Sequence, residues 1–310
     1  MTLPWSEDVA RTVRDAYLAR ANLMGTEPEL ISFRQNAIFR IPGPDISVRV
    51  YGPGEDRTRA DLMVRCARWL EQQDFPAVRL APIESQQPFD LLGHRVSIWK
   101  WIDRVPTGPR GAFALGQLLR RFHGLPAPAG LNVPELDQIS RIRARVARIR
   151  AADLIPKAGQ TLLAHLADRA AEAADALRNS TLGGGILHGD AMPGNALPTA
   201  DGMVMIDLDS ACFGPREWDL APMYVTAKRF ARDGESRWLE FLSGYGTNET
   251  VLSAGLQAAS LIKQVSMTIY LCLSAGQTPE IDAEIAARLR MWADGDETGR
   301  WTTGFSAGGR

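Results

Sequence analysis

The feature that most constrains the fold is one β-rich island, at about residues 185–209, within a long run of helical patterns. The island has short apolar runs and turn residues, which are typical of strands, whereas the flanking segments repeat apolar residues at helical spacing. Helices are predicted at 111–124, 138–153, 159–178, 216–232, 235–244, 250–273 and 279–293.

The first hundred residues predict a small sheet with one inserted helix. Turn residues at 42–45 separate two strand patterns, which therefore look like a hairpin. The predicted elements are a helix at 6–24 capped by Ser6, strands at Ala37–Ile41 and Ile46–Tyr51, a helix at 57–73, and strands at Val78–Leu80, Phe89–Leu91 and Val96–Trp101. A sheet-rich part followed by a larger helical part is an α+β pattern.

Composition excludes several classes of protein. The chain has 310 residues and a formal net charge of -1, so no overall field attracts nucleic acid or an anionic membrane. The first residues are charged and lack an apolar core, so no signal peptide is expected. Three widely spaced cysteines are best explained as small core residues. We expect a cytoplasmic protein that binds neither nucleic acid nor membrane and is a monomer or homodimer.

The island carries a run of residues suited to phosphoryl transfer. It contains His188-Gly189-Asp190, then Asn195 after four residues, and Asp207 after a short apolar run. The catalytic loop of protein kinases has the pattern H-R-D-x-x-x-x-N and is followed by an Asp that holds metal. The alternative is an Asp-rich turn region in which His188 only binds backbone.

The spacing brings the candidate metal ligands together in a hairpin. If Asp201-Gly202 forms the turn, Asn195 lies opposite Leu208 and Ala196 lies opposite Asp207. Cross-strand neighbours are about 5–8 Å apart, which lets an amide oxygen and a carboxylate share one Mg²⁺. The sequence therefore predicts a magnesium site at the open end of this hairpin.

Two further acidic groups flank this arrangement. Asp190 precedes the hairpin on a loop, where it can face a substrate hydroxyl. Asp209 shares a strand face with Asp207 if the strand continues, so it is either a second metal ligand or a group that faces the acceptor. Glu217 is another candidate for binding a cationic acceptor.

These residues resemble the aminoglycoside phosphotransferase and choline kinase-like family. The family carries an H-G-D-x-x-x-x-N loop and a later segment with Ile-Asp, then Gly, then Asp-Leu-Ala, matched here by Ile206-Asp207, Gly214 and Asp219-Leu220-Ala221. The resemblance implies a bilobal protein-kinase-like fold, with a sheet lobe at 1–102 that covers the nucleotide and a helical lobe at 103–310.

The resemblance also implies an activity: the γ-phosphoryl group of ATP, or GTP, passes to a hydroxyl of a small molecule in the presence of Mg²⁺. Asp190 would be the base, and Asn195 and Asp207 would be the metal ligands. His188 and Asp219 would support the loop. The segment that includes Ser97, Trp99, Trp101 and Ile102 looks like the hinge whose backbone holds adenine.

The sequence departs from the kinase pattern at the phosphate-binding lysine. Residues 1–99 contain no lysine, and Arg49 stands at the equivalent position. Met63 occupies the place of the partner Glu, with Asp61 as a fallback, so nothing obvious holds Arg49. We expect Arg49 to contact phosphates weakly through its fork of donors; the alternative is a solvated surface arginine.

Three functions remain open on the sequence alone. The first is a kinase whose acceptor is an antibiotic. The second is a metabolic kinase that acts on a sugar, an amino alcohol or a nucleoside. The third is a nucleotide-binding pseudokinase, favoured only by the missing Lys–Glu pair and opposed by Asp190, Asn195 and Asp207.

Overall fold

The computed structural model describes residues 5–53, 57–108, 110–128, 130–231, 233–296 and 298–302. The chain forms two compact units. The sheet unit comprises Met1–Thr107, Leu125–Val133 and Asn195–Ala211. The helical unit comprises Gly108–Gly124, Pro134–Gly194 and Cys212–Arg310.

The sheet unit is built on a five-stranded antiparallel sheet with the order β1-β2-β3-β5-β4. Its elements are α1 (Glu7–Arg20), β1 (Glu29–Phe33), β2 (Asn36–Ile41), β3 (Ile46–Tyr51), α2 (Arg57–Gln72), β4 (Phe89–Leu91) and β5 (His94–Lys100). Strand β1 was not predicted. The predicted strand at Val78–Leu80 was wrong, because this segment makes only isolated bridges through Ala77 and Leu80.

The two faces of the central strand β3 have different roles. Val48 and Val50 are fully buried in an apolar cluster with α1, as their alternation predicts. Arg49 points to the other face, where its Nη1 lies 3.1 Å from Sδ of Met63 on α2. The pleat of one strand therefore separates the core of the sheet from a polar face.

The helical unit contains all seven helices predicted after residue 110. They are α3 (Gly111–His123), α4 (Gln138–Ala151), α5 (Lys157–Leu177), α6 (Glu217–Arg229), α7 (Gly234–Tyr245), α8 (Glu249–Cys272) and α9 (Pro279–Asp294). A core of fully buried side chains from α4, α5 and α8, such as Ile142, Leu163 and Val265, joins them. Within the described ranges, no helix is long and apolar enough to cross a membrane.

The β-rich island forms two separate two-stranded sheets. Strands β6 (Gly184–Leu187) and β9 (Cys212–Pro215) pair within the helical unit. Strands β7 (Ala196–Thr199) and β8 (Gly202–Met205) pair within the sheet unit, where the N–H of Val78 donates to the carbonyl of Met205. The segment at 195–211 thus belongs to the sheet unit, and not to the later lobe to which the predicted boundary at 102 assigned it.

Candidate active site

The loop that carries Asp190 is held by the carboxylate of Asp219. Strand β6 ends at the buried Leu187, and the next two backbone N–H groups, of His188 and Gly189, donate to Asp219 at 2.6 and 2.9 Å. Gly189 has φ of 81°, a left-handed conformation that glycine adopts without strain. Asp219 itself is fully buried, so these bonds fix the loop backbone.

His123, which had no predicted role, also binds the carboxylate of Asp219. Nε2 of His123, on α3, lies 3.1 Å from the Asp219 carboxylate, and its Nδ1 lies 2.8 Å from the hydroxyl of Tyr245. The carboxylate only accepts, so Nε2 donates. Burial raises the pKa of Tyr245, so the phenol keeps its proton and can donate to Nδ1. Asp219 therefore accepts three hydrogen bonds in the core.

The side chain of Asp190 is 42% exposed and is paired with a lysine. Its Oδ1 lies 2.6 Å from Nζ of Lys263 on α8, and its backbone N–H donates to Nδ1 of His188 at 3.3 Å. The indole N–H of Trp218 donates to the carbonyl of Gly189 at 2.9 Å. Sequence reasoning gave no role to Lys263, although it stands alone in an uncharged stretch of α8.

The candidate metal ligands Asn195 and Asp207 lie at one end of the β7–β8 hairpin, but the predicted register was wrong by two residues. Thr199 pairs with Gly202 and Ala196 pairs with Met205. The turn lies one residue earlier than predicted, at Ala200-Asp201, where the Thr199 hydroxyl donates to the carbonyl of Gly202 at 2.9 Å. Asn195 is the residue before β7, and its carbonyl accepts from Ile206, the neighbour of Asp207.

Asp207 and Asp209 do not share a strand face. The strand ends before Asp207, which has φ of 59° and ψ of 55° and precedes a short 3-10 helix at Leu208–Ser210. The two carboxylates are nevertheless brought together by one side chain. Arg49 donates through Nη1 to Asp207 at 2.8 Å and through Nη2 to Asp209 at 2.9 Å. The expectation that nothing holds Arg49 was therefore wrong.

Arg49 is buried and charged. Burial alone would lower its pKa, but Tyr51, Asp207 and Asp209 beside it raise the pKa well above the ordinary value. The guanidinium carbon lies 5.0 Å from the centre of the Tyr51 ring. Asp61 is not a partner, since it pairs with Arg95. Arg49 is thus a buried arginine and not a solvated one, and its fork is engaged by two acidic groups.

Some backbone N–H and C=O groups of the predicted hinge are already hydrogen-bonded within the sheet, which limits the residues that could bind adenine. Ser97 and Trp99 pair with Arg49 and Ser47 of β3, while Ile98 between them binds Gln87 and Ala81 on the other side. The hydrogen-bonding groups of Ser97 and Trp99 therefore face β3, and they cannot hold adenine as predicted. The N–H of Trp101 donates to the carbonyl of Asp45 at 3.0 Å.

The chain leaves the sheet after Lys100. Any backbone contacts of the hinge to adenine would therefore come from the residues that follow β5. The Trp101 carbonyl and the half-buried Ile102 follow the last paired residue of β5. Ser97 keeps a structural role, because its hydroxyl accepts from the indole of Trp99 at 2.7 Å and lies 3.2 Å from the hydroxyl of Tyr51.

Glu217 is a structural residue, and the prediction that it faces an acceptor was wrong. Its side chain is fully buried at the start of α6. The backbone N–H groups of Thr181 and Leu182 donate to its Oε1 at 2.9 and 3.1 Å, and the hydroxyl of Ser180 donates to Oε2. Glu217 therefore fixes the segment before β6.

The donor set suits a metal ion that is shared with a nucleotide. Asn195 and Asp207 offer an amide and a carboxylate oxygen, which are ligands that Mg²⁺ prefers. Within the described part of the chain, no group of three or more His, Cys, Asp or Glu side chains could hold a metal by itself. Mg²⁺ is commonly bound by one or two carboxylates together with substrate phosphates and water, so the residues present fit that mode.

The structure is similar to solved small-molecule kinases. It matches amicoumacin kinase in complex with AMP-PNP, Ca²⁺ and Ami, with a TM-score of 0.73, 12% identity and coverage of 96% of this chain and 98% of that one. A choline/ethanolamine kinase family protein from Mesorhizobium loti matches with a TM-score of 0.65, 15% identity and coverage of 93% of each chain.

An aminoglycoside phosphotransferase from Streptomyces rimosus matches with a TM-score of 0.62, 20% identity and coverage of 84% of this chain and 99% of that one. At these identities the likeness shows the fold, which is α+β and protein-kinase-like, as the sequence predicted. No curated protein sequence matches the chain. The model of a family described as the phosphotransferase enzyme family matches residues 33–254. This match covers more than half of the sequence, and the chain therefore belongs to the phosphotransferase enzyme family.

Proposed function

We propose that the chain transfers the γ-phosphoryl group of ATP, or GTP, to a hydroxyl group of a small molecule, with Asp190 as the general base. The observation that carries this proposal is the exposed carboxylate of Asp190 on a loop whose backbone is fixed by Asp219 and Trp218. A base must be held within hydrogen-bond reach of the proton that it accepts, so such a fixed loop is what the reaction needs.

The protein forms few or no covalent bonds of its own during phosphoryl transfer. The reaction depends mainly on positioning the acceptor hydroxyl and on stabilising the charge of the transferring group. Asp190 would orient the hydroxyl and accept its proton, while His188 and Asp219 would keep the loop in one conformation. These roles use groups whose contacts within the helical unit are already made.

Asn195 and Asp207 would hold a magnesium ion, together with the phosphates of the nucleotide and water. When bound, the ion would neutralise charge on the β- and γ-phosphates. Support for this assignment comes from the oxygen donors of the two residues and from their position at the same end of the β7–β8 hairpin. The AMP-PNP and Ca²⁺ bound to amicoumacin kinase are consistent with nucleotide and divalent metal use in this fold.

The nucleotide base would be bound by the segment after β5, through the Trp101 carbonyl and Ile102. Arg49 would contact phosphate only if its bonds to Asp207 and Asp209 rearrange, since both of its Nη atoms are engaged. Its contribution to nucleotide affinity is therefore modest, as the sequence suggested, but for a different reason.

The acceptor belongs to one of two groups, antibiotics or metabolites such as amino alcohols and sugars. The names of the similar structures cover both groups, because they include an aminoglycoside phosphotransferase, an amicoumacin kinase and a choline/ethanolamine kinase family protein. Protection of a sensitive bacterium that expresses the chain would distinguish an antibiotic acceptor from a metabolic one.

A pseudokinase is the second candidate, and one observation favours it. The guanidinium of Arg49 donates a hydrogen bond to the carboxylate of Asp207, and Asp207 is a residue proposed to bind metal. If this bond persists, the chain would bind nucleotide poorly or without metal, and it would act as a scaffold.

Acceptor-dependent consumption of nucleotide tests the proposal. The purified chain is incubated with Mg²⁺ and either ATP or GTP, and ADP or GDP formation is measured over a panel of aminoglycosides, amino alcohols, sugars and nucleosides. We expect at least one acceptor to stimulate nucleotide consumption and to gain a phosphate detectable by mass spectrometry. Nucleotide binding without transfer to any member of a broad panel would favour the pseudokinase.

A further inference from the structure

Lys263 is an unusual residue for its surroundings. It is the sole charged residue in the sequence from Thr250 to Cys272, and it is only 9% exposed on α8. Lysine is rarely buried unless it is paired. Its partner is the Oδ1 atom of Asp190, at 2.6 Å. The proposed base on its loop is therefore paired with a positive charge supplied from helix α8.

Trp218 supports both the lysine and the loop. The Nζ atom of Lys263 lies 5.9 Å from the centre of the Trp218 ring, and the indole N–H of the same residue binds the carbonyl of Gly189. Trp218 is itself buried on α6. The position of the ammonium group is thus coupled to the backbone of the loop that carries Asp190.

A second cation lies on the same side of α8. Arg145 on α4 donates to the hydroxyl of Ser266, which is three residues after Lys263 and so about one helical turn away. The guanidinium carbon of Arg145 also lies 5.1 Å from the centre of the Tyr270 ring. Helix α4 carries five arginines and no acidic residue. Lys263 and Arg145 therefore place two cations along one side of α8, and Lys263 is the one that contacts Asp190.

We propose that Lys263 is a specificity-determining residue, which makes the chain select neutral or anionic hydroxyl acceptors over acceptors with an ammonium group beside the reactive hydroxyl. This inference rests on the proposed function of Asp190. An unpaired Asp190 would attract a nearby ammonium group, whereas the ammonium of Lys263 already satisfies that charge. A second cation close to it meets like-charge repulsion, which weakens binding of the wrong partner.

The test compares matched acceptors that differ in one charge. Choline is paired with its neutral isostere 3,3-dimethylbutan-1-ol, and kanamycin is paired with its fully N-acetylated form. The measured quantity is the ratio of kcat/KM for the neutral member to that for the cationic member. Lys263→Met removes the charge and Lys263→Arg keeps it, while Lys228→Met removes an exposed lysine of α6 as the matched control.

We expect Lys263→Met to shift this ratio toward the cationic acceptor by at least about tenfold, mainly through KM. Lys263→Arg and Lys228→Met should keep the wild-type ratio. If Lys263→Met lowers kcat equally for both members of each pair, or leaves the ratio unchanged, Lys263 does not determine specificity and the inference is overturned.

Failure of the proposed function would give a different result. In that case the wild-type chain transfers phosphate to neither member of a pair. The same ratio is then measured as dissociation constants by calorimetry, with the same variants. A shift in Lys263→Met alone supports the selection against cations, and equal constants in all variants contradict it.

Discussion

Replacing Arg49 by methionine tests the buried network of the sheet unit. The change keeps an apolar stem of similar length and removes the guanidinium that joins Asp207 and Asp209. The two acidic groups differ in exposure, at 38% for the Asp207 side chain and 10% for Asp209. Most of the lost free energy of unfolding should therefore come from Asp209, whose buried carboxylate no longer binds the Arg49 guanidinium.

The expected cost follows from this difference. Removing one partner of a buried ion pair costs about 3–5 kcal/mol, because the remaining charge is uncompensated. The bond to the exposed Asp207 adds no more than about 1 kcal/mol, as for surface pairs. Asp209 keeps the hydroxyl of Ser210 at 3.2 Å, which offsets part of the loss. We expect Arg49→Met to lower the free energy of unfolding by about 3–4 kcal/mol.

Urea unfolding without nucleotide or divalent metal measures this loss. Arg57→Met is the matched control, because Arg57 pairs with Asp90 while both side chains are exposed, and it should cost less than about 1 kcal/mol. Combining Arg49→Met with Asp209→Asn should recover at least half of the loss, because the second change removes the stranded charge. If Arg49→Met unfolds at the same urea concentration as Arg57→Met, the network does not stabilise the sheet unit as argued.

Three further predictions concern other parts of the chain. Arg49→Ala should raise the dissociation constant for ATP by a factor that corresponds to about 1 kcal/mol of binding free energy, a modest loss because both Nη atoms already bind Asp207 and Asp209. Equal affinities of wild type and variant would remove Arg49 from the nucleotide site. Glu217→Ala should destabilise the chain by about 1–3 kcal/mol, since the backbone N–H groups of Thr181 and Leu182 lose their bonds to the Glu217 carboxylate. The KM of any acceptor should stay unchanged, and a raised KM would restore Glu217 to the acceptor site. Burial raises the pKa of Cys66 and of Cys272 from 9.0 to about 12, so the folded thiols keep protons that the unfolded chain loses. Stability should therefore fall as pH rises from 9 toward about 12, less steeply in Cys66→Ala, and an equal slope in that variant would contradict the burial of this thiol.

A lysine at position 49 would keep the positive charge beside Asp207 and Asp209 but not the shape of the group that carries it. The structure shows a fork whose two Nη atoms bind separate carboxylates. A lysine ends in one point charge and cannot reproduce this geometry, so Arg49→Lys should lose stability.

Local patterns predicted most elements because they depend on residues close in sequence. The helices of the helical unit follow from apolar spacing, and Ser6 caps α1 as predicted, with its hydroxyl accepting from Val9 at 3.3 Å. Strand β1 was missed because it is an edge strand with mostly partial exposure, and its residues do not alternate clearly. The register of β7 and β8 was missed because it depends on one side-chain bond of Thr199.

Sequence spacing identified the motif residues of the candidate site, but it did not identify the side chains that pair with them. The motif residues lie within one short stretch of the sequence, so their spacing could be recognised. They are His188, Asp190, Asn195 and Asp207. Lys263 is 73 positions from Asp190, and no local rule connects the two. The one available signal was a single lysine in an otherwise uncharged helix, which indicates a buried partner of opposite charge.

The same limit explains the errors at Arg49 and Glu217. Arg49 is 160 positions from Asp209, so its partner depends on how β3 packs against the segment that follows β8. Glu217 was predicted to bind a cationic acceptor, although it begins a helix and the chain beside it offers backbone donors. Acidic residues at a helix start often bind backbone N–H groups, which was the signal for its structural role.

Substitution of the proposed base is the most direct test of the account. Asp190→Asn keeps the shape of the side chain and removes its ability to accept a proton, and Asp201→Asn makes the same change at an exposed turn. Turnover with the best acceptor is measured beside the affinity for ATP with Mg²⁺. We expect Asp190→Asn to lower kcat by about 10²–10⁴-fold while ATP still binds, and Asp201→Asn to keep wild-type turnover. Near-wild-type turnover of Asp190→Asn would contradict the role of Asp190 as the base.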